Sequence, residues 1–194
     1  MIYPEYTVEQ ARNDTQLIAE FTTYFKGSTY GKENRVRNIV KASGLIDKCV
    51  IDPGDIFSIN QVLGERNEEN GWSVAAGIKD GAYVQEYGGG VCQVSSTIFE
   101  CILRANLMVV CRAPHSLEIS YVPLGGDATV QWNTTDFQFK NTSGTDIRLQ
   151  MTAKNGTLTC KVMGQKNVKP KDVKISIKKT GKQYVLCLLY TSDA

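Results

Sequence analysis

Hydrophobic positions change their spacing near the middle of the chain. "CQVSSTIFECILRAN", residues 92–106, places Val94, Ile98, Cys101, Ile102 and Ala105 on one face of a helix about four turns long, with Asn106 able to end it. Upstream, "ENRVRNIVKASGLI" (33–46) keeps Val36, Ile39, Val40 and Ser43 at helical spacing, and Gly44 punctuates its end. Residues 8–25, "VEQARNDTQLIAEFTTYF", also read as a helix, with Ala11, Ile18 and Phe21 or Phe25 inward. "CVIDPGDIFSINQVLG" predicts two short extended pieces about a Pro53–Gly54 turn, and "GAYVQEY" predicts a strand among the loops of 67–90.

Beyond residue 106 the pattern alternates. "LMVVCR", "LEISYVP", "ATVQW", "DFQFK", "DIRLQMT", "TLTCKVM" and "DVKISIK" are short, β-branched and separated by Gly, Asn, Asp or Pro, as strands of an antiparallel meander are. The expected class is α+β: N-terminal helices and loops, a central helix starting at a Gly-rich cysteine motif, then an antiparallel β meander. From about residue 165, "QKNVKPKDVKISIKK" turns basic and Pro-punctuated, suiting a linker or the start of a following module. "CLLYTSDA", residues 187–194, resembles the in-frame translation of a transposon end from a sequencing library and is set aside.

Charge narrows the partners. With 22 basic against 20 acidic residues and no basic run with interleaved aromatics, nucleic acid is not expected. No apolar stretch approaches the roughly 20 residues of a membrane helix. "MIYPEYTVEQ" has neither the basic nor the apolar region of a signal peptide, so either a cytoplasmic protein or an exported one whose leader is absent from this chain is consistent with it. The six cysteines form no CxxC pair and only one histidine is present, so neither a structural metal nor a cofactor is expected. Cys101 and Cys111 read as buried core residues.

"EYGGGVCQVSST", residues 86–97, carries the candidate chemistry. Three glycines precede a cysteine at a predicted helix start, where unpaired N–H groups and the helix dipole favour a thiolate. Gly88, Gly89 and Gly90 either shape a tight turn around an inert thiol or let a substrate backbone approach a reactive one. A nucleophilic Cys92 needs a base, and His115 is the one histidine in the chain. A carboxylate should orient the imidazole: Asp127, opening "DATVQW", is the first choice and Asp136, opening "DFQFK", the second. Gln93, Ser95, Tyr121 and Trp132 complete the candidate substrate-binding set, although aromatics on alternating strands also suit a core. Arg66 and Arg112 are candidates for binding a carboxylate or for ordinary surface positions.

The pieces "RVRNIVKAS", "IDPGDIFSINQVLGER", "ENGW", "YGGGVCQVSSTIF", "PHSLEISYVPLGGDATVQW" and "DFQFKN" together resemble the VanW-domain family over residues 35–164, which leaves 1–34 as a lead-in, 165–186 as linker or following module, and 187–194 set aside. Trp72 stands where that family commonly has Tyr, and Cys111 where it commonly has an acidic residue. The resemblance implies a bacterial cell-envelope protein outside the cytoplasm, acting on peptidoglycan stem peptides. Some members resemble a class of L,D-transpeptidase unrelated in fold to the YkuD type. It maps the family's cysteine to Cys92 and its histidine to His115, and implies acyl transfer through a Cys92 thioester to form 3→3 crosslinks. The same Cys–His–Asp order also resembles transglutaminase-like and cysteine-peptidase domains, which would hydrolyse the stem. A non-catalytic peptidoglycan-binding module is the remaining alternative. A monomer is expected.

Overall fold

Asn38, Ile39, Ala42, Ser43 and Ile46 turn inward from helix α1 (Glu33–Ile46), which runs through Gly44 rather than ending there. Its buried face is displaced by one residue from the expected one, so Val40 is exposed and Ala42 is enclosed. The computed structural model describes residues 16–25, 32–79, 81–165, 173–180 and 183–190.

The expected helix over 8–25 is corrected. Gln16–Tyr24 is a strand, β1, and residues 8–15 lie outside the described residues. β1 pairs antiparallel with β9 (Thr157–Gly164), with a register shift between Leu17 and Ala19. That bulge turns both Ile18 and Ala19 inward, and two adjacent buried positions imitate a helical spacing. β9 continues into β8 (Ile147–Lys154), and β8 into the short β2 (Val50–Ile51), giving a four-stranded sheet in the order β1-β9-β8-β2.

Helix α3 (Val91–Arg104) packs against β1 and β9, and α1 packs against β8. Between them in sequence comes α2, a short helix over Ile59–Leu63 whose N-cap Ser58 accepts a hydrogen bond from the Gln61 N–H. The expected apolar face of α3 is the observed one: Val94, Ile98, Cys101 and Ile102 are completely buried. A second sheet, β3-β7-β6, joins Ile56–Ser58, Gln138–Lys140 and Met108–Cys111. Phe57 stacks on Phe139 at 5.1 Å and Phe99 of α3 meets Phe137 edge-on, so one core serves both sheets. Two hairpins complete the description: β4 (Val74–Lys79) with β5 (Ala82–Tyr87), and β10 (Val173–Thr180) with β11 (Gln183–Tyr190).

The α+β class holds, and the strands after α3 pair antiparallel with their sequence neighbours, divided among separate sheets. Strands from the first half complete both sheets, and "LEISYVP" forms no strand at all. "ATVQW" contributes only isolated bridges, Ala113 to Thr129 and Gln131 to Thr135. Pro114 and Pro123 have no N–H to give a ladder, and side chains hold this loop instead. Arg112 donates to the carbonyls of Asp127 (2.6 Å) and Gly125 (2.9 Å), and Ser96 Oγ accepts the Ala128 N–H at 3.0 Å.

Candidate active site

Gly88 and Gly90 have φ of +81° and +105°, conformations that L side chains rarely adopt. Gly89 is constrained differently: a Cβ there would lie 2.5 Å from the Ala75 carbonyl oxygen. Buried Asn38 staples the turn in place, donating from Nδ2 to Gly89 O (3.0 Å) and Ser73 O (2.8 Å) while accepting the Ser73 N–H (3.0 Å). The chain leaves this turn directly into α3, which puts Cys92 in its first turn. The glycines therefore have a reason inside the protein for lacking side chains, besides lining the cleft described below.

The Cys92 sulfur lies 3.6 Å from both Thr129 Oγ1 and Val130 O. Opposite it, His115 is almost enclosed, its side chain only 3% exposed. Nδ1–H donates to Asp127 Oδ2 at 2.7 Å, and the same oxygen accepts the His115 backbone N–H at 2.6 Å. Arg112 donates to Asp127 Oδ1 at 2.9 Å. With Nδ1 engaged, Nε2 is the nitrogen left for proton transfer. It lies 3.4 Å from the Tyr121 hydroxyl.

Electrostatics couple these groups. Burial pushes the Cys92 thiol up, but the hydrogen bond and charge of His115, with Val130 and Thr129, bring it below the ordinary thiol value. Burial opposes an imidazolium, yet Asp127 and Cys92 raise His115 to about 9. Asp127 is likewise opposed by burial and held below the usual carboxylate range by both hydrogen bonds from His115 and by Arg112. Both shifts move the pair toward its thiolate–imidazolium form.

A cleft of about 1010 Å³ opens on this pair, lined by Gly88–Gly90, Cys92, His115, Tyr121 and Trp132 among others. Two of the expected substrate contacts sit differently. The Ser95 hydroxyl is wholly buried and bonds to the carbonyls of Cys92 and Ala128. The Gln93 amide is tied to Thr23 and Tyr24 of β1 and accepts from Arg35 at 2.7 Å, so it supports the cleft wall. Asp136 lies away from His115. It accepts from Ser58 Oγ, Asn60 N and Gln138 Nε2, joining β3 and α2 to β7. Arg112 is engaged by Asp127 and the loop carbonyls, whereas Arg66 lies over the Trp132 ring at 5.8 Å in the cleft. Cys111, expected in the core, is exposed on β6, an edge strand of its sheet with a register shift beside it. Arg35 is among the cleft residues with no local signal in the sequence, because its neighbours in the site come from distant parts of the chain.

Among the described residues, no group of three or more His, Cys, Asp or Glu is arranged to hold a metal, and no helix is long and apolar enough to cross a membrane. The family described as VanW like protein matches residues 34–163. The chain belongs to the VanW family. It is 38% identical over 158 residues to the uncharacterized protein YoaR of Bacillus subtilis (strain 168), covering 81% of this chain. It is 23% identical over 140 residues to the Vancomycin B-type resistance protein VanW of Enterococcus faecalis, covering 70% of this chain. The VanW-family chain spans 51% of the length of each of these relatives. No solved structure matches it.

Proposed function

We propose that this VanW-family chain is a cysteine-dependent acyltransferase of the L,D-transpeptidase type, acting outside the cytoplasm, as a monomer and without a cofactor, on peptidoglycan stem peptides. The observation that carries the reading is the Cys92–His115–Asp127 arrangement, whose Cys92 and His115 line a cleft of about 1010 Å³. The envelope setting draws on family membership and on the resistance protein among the relatives.

In this reading the Cys92 thiolate attacks the carbonyl carbon of the last peptide bond of a tetrapeptide stem. A carbon–sulfur bond forms, and the oxyanion faces the start of α3. The N–H groups of Val91 and Gln93 are occupied by Gly88 O and Gly90 O, whereas that of Cys92 has no backbone partner among the described residues and is the natural donor. The carbon–nitrogen bond then breaks, and His115 Nε2–H protonates the departing D-alanine amine. His115 next takes a proton from the side-chain amine of a second stem, which attacks the thioester. The new amide is the 3→3 crosslink, and the thiolate is regenerated. Asp127 stays ionised throughout, fixing the tautomer and stabilising the imidazolium. Amines compete well with water for thioesters, which suits an open cleft.

The purified chain incubated with tetrapeptide stems should release D-alanine and form crosslinked dimers, and Cys92→Ala should do neither. D-alanine release with only a free acid would assign hydrolysis instead. Crosslinking by Cys92→Ala, or stem binding with no turnover by the parent protein, would overturn the reading.

A further inference from the structure

Gly88 and Gly90 do more than turn the chain. A Cβ at Gly88 would lie 2.6 Å from Arg66 Cγ, and one at Gly90 would lie 2.9 Å from Arg35 Cγ. The missing side chains therefore seat two arginines, from distant parts of the sequence, against the backbone on either side of the turn that delivers Cys92. Both line the same cleft as the thiol.

Each guanidinium is held without being used up. Arg35 donates from NH2 to Gln93 Oε1 at 2.7 Å, and Gln93 is itself fixed by β1 through Thr23 and Tyr24. Arg66 donates from NH1 to Gly64 O at 2.9 Å and lies over Trp132. A guanidinium has five N–H donors, so several remain on each. Neither makes an ion pair with a carboxylate among the described residues, although both are half-buried. Burial lowers both arginines from their ordinary value; Tyr121 and then Cys92 pull Arg35 back up, and Cys92, Asp136 and Glu86 pull Arg66 back up, so both lie within electrostatic reach of the sulfur. Partly desolvated guanidiniums with no carboxylate in direct contact are costly, and fork-shaped donors match one.

We propose that Arg35 and Arg66 form a carboxylate-binding subsite beside Cys92 that takes the free C-terminal carboxylate of a peptide. This rests on the acyl-transfer reading and adds to it what selects the last bond: the group that leaves carries the carboxylate held by the arginines. A stem extended by one residue, or ending in an amide, lacks that anchor.

The test uses the thiol itself as reporter. Cys92 in the full chain is alkylated at pH 7 with iodoacetate, which carries a carboxylate, and with neutral iodoacetamide, and the two rates are read by peptide mass mapping. An isolated thiolate prefers the neutral reagent. Here iodoacetate should be the faster, and the ratio of rates should fall about tenfold in Arg35→Gln and in Arg66→Gln. Arg35→Lys and Arg66→Lys, which retain charge but lose the fork, should fall between, with thermal unfolding checking that each variant is folded. A wild-type preference for iodoacetamide, or a ratio unchanged in both glutamine variants, overturns the subsite while leaving acyl transfer standing. A Cys92 that neither reagent alkylates overturns both.

Discussion

Replacing Asp127 by Asn keeps the shape of the side chain and removes the charge that His115 leans on. Raising His115 from 6.5 to about 9 corresponds to roughly 3 kcal/mol in favour of the imidazolium, drawn from Asp127 and Cys92 after burial has been offset. If Asp127 supplies about half of that balance, the variant loses roughly 1.5 kcal/mol, or about one pH unit, at His115. The thiolate then loses an equal share of its partner's charge. The pH midpoint for iodoacetamide alkylation of Cys92 should therefore rise by about one unit toward the ordinary thiol value near 8.5. Acyl transfer should fall by about 10²-fold or more, because an amide can also hold the imidazole in the wrong tautomer. Asp127 is also the partner of Arg112, and its side chain is only 9% exposed, so a stability loss of about 3 kcal/mol accompanies the change. Assays belong at a temperature where circular dichroism shows the variant folded. A folded Asp127→Asn protein with an unchanged alkylation midpoint would refute the reasoning, since the carboxylate would then contribute nothing to the pair.

Gly89→Ala should cost about 2–3 kcal/mol, because the new Cβ meets the backbone carbonyls of Ala75 and Ala76, which cannot swing aside. Gly44→Ala, in the last turn of α1 with nothing within 4 Å, should instead gain about 0.5–1 kcal/mol; urea titration of both variants tests the contrast. Because His115 has a folded pKa above its unfolded one, its contribution to stability is fully present below about pH 6.5 and is lost as pH rises through about 9. The stability gap between the parent and His115→Gln should accordingly narrow from pH 6 to pH 9.5. A gap that widens over that range would reverse the assigned sign.

The helix bearing Cys92 was legible because one periodic face and a Gly-rich start are local signals. The proximity of His115 and Asp127 was partly legible, since both lie just after short elements that the chain can fold back over α3. β1 was not legible, because its bulge puts Ile18 and Ala19 side by side in the core and hides the alternation. The loop from Arg112 to Thr135 reads as strands because its residues are β-branched and alternating, yet its backbone is satisfied by Arg112 and Ser96. Nothing near Arg35 in sequence announces that Gly90 makes room for it; that pairing is a tertiary fact.

β1 lies before residue 34, where the family match begins. It nonetheless supplies the outer strand beside β9 and the two groups that grip Gln93, which in turn holds Arg35. The stretch matched by the family is thus smaller than the folded unit that builds the cleft. A protein trimmed to the matched boundaries would bare the β9 ladder, a surface prone to pair with other chains, and would free one wall of its cleft. Comparative work on such proteins is best framed by the extent of the sheet, with the lead-in strand counted as architecture.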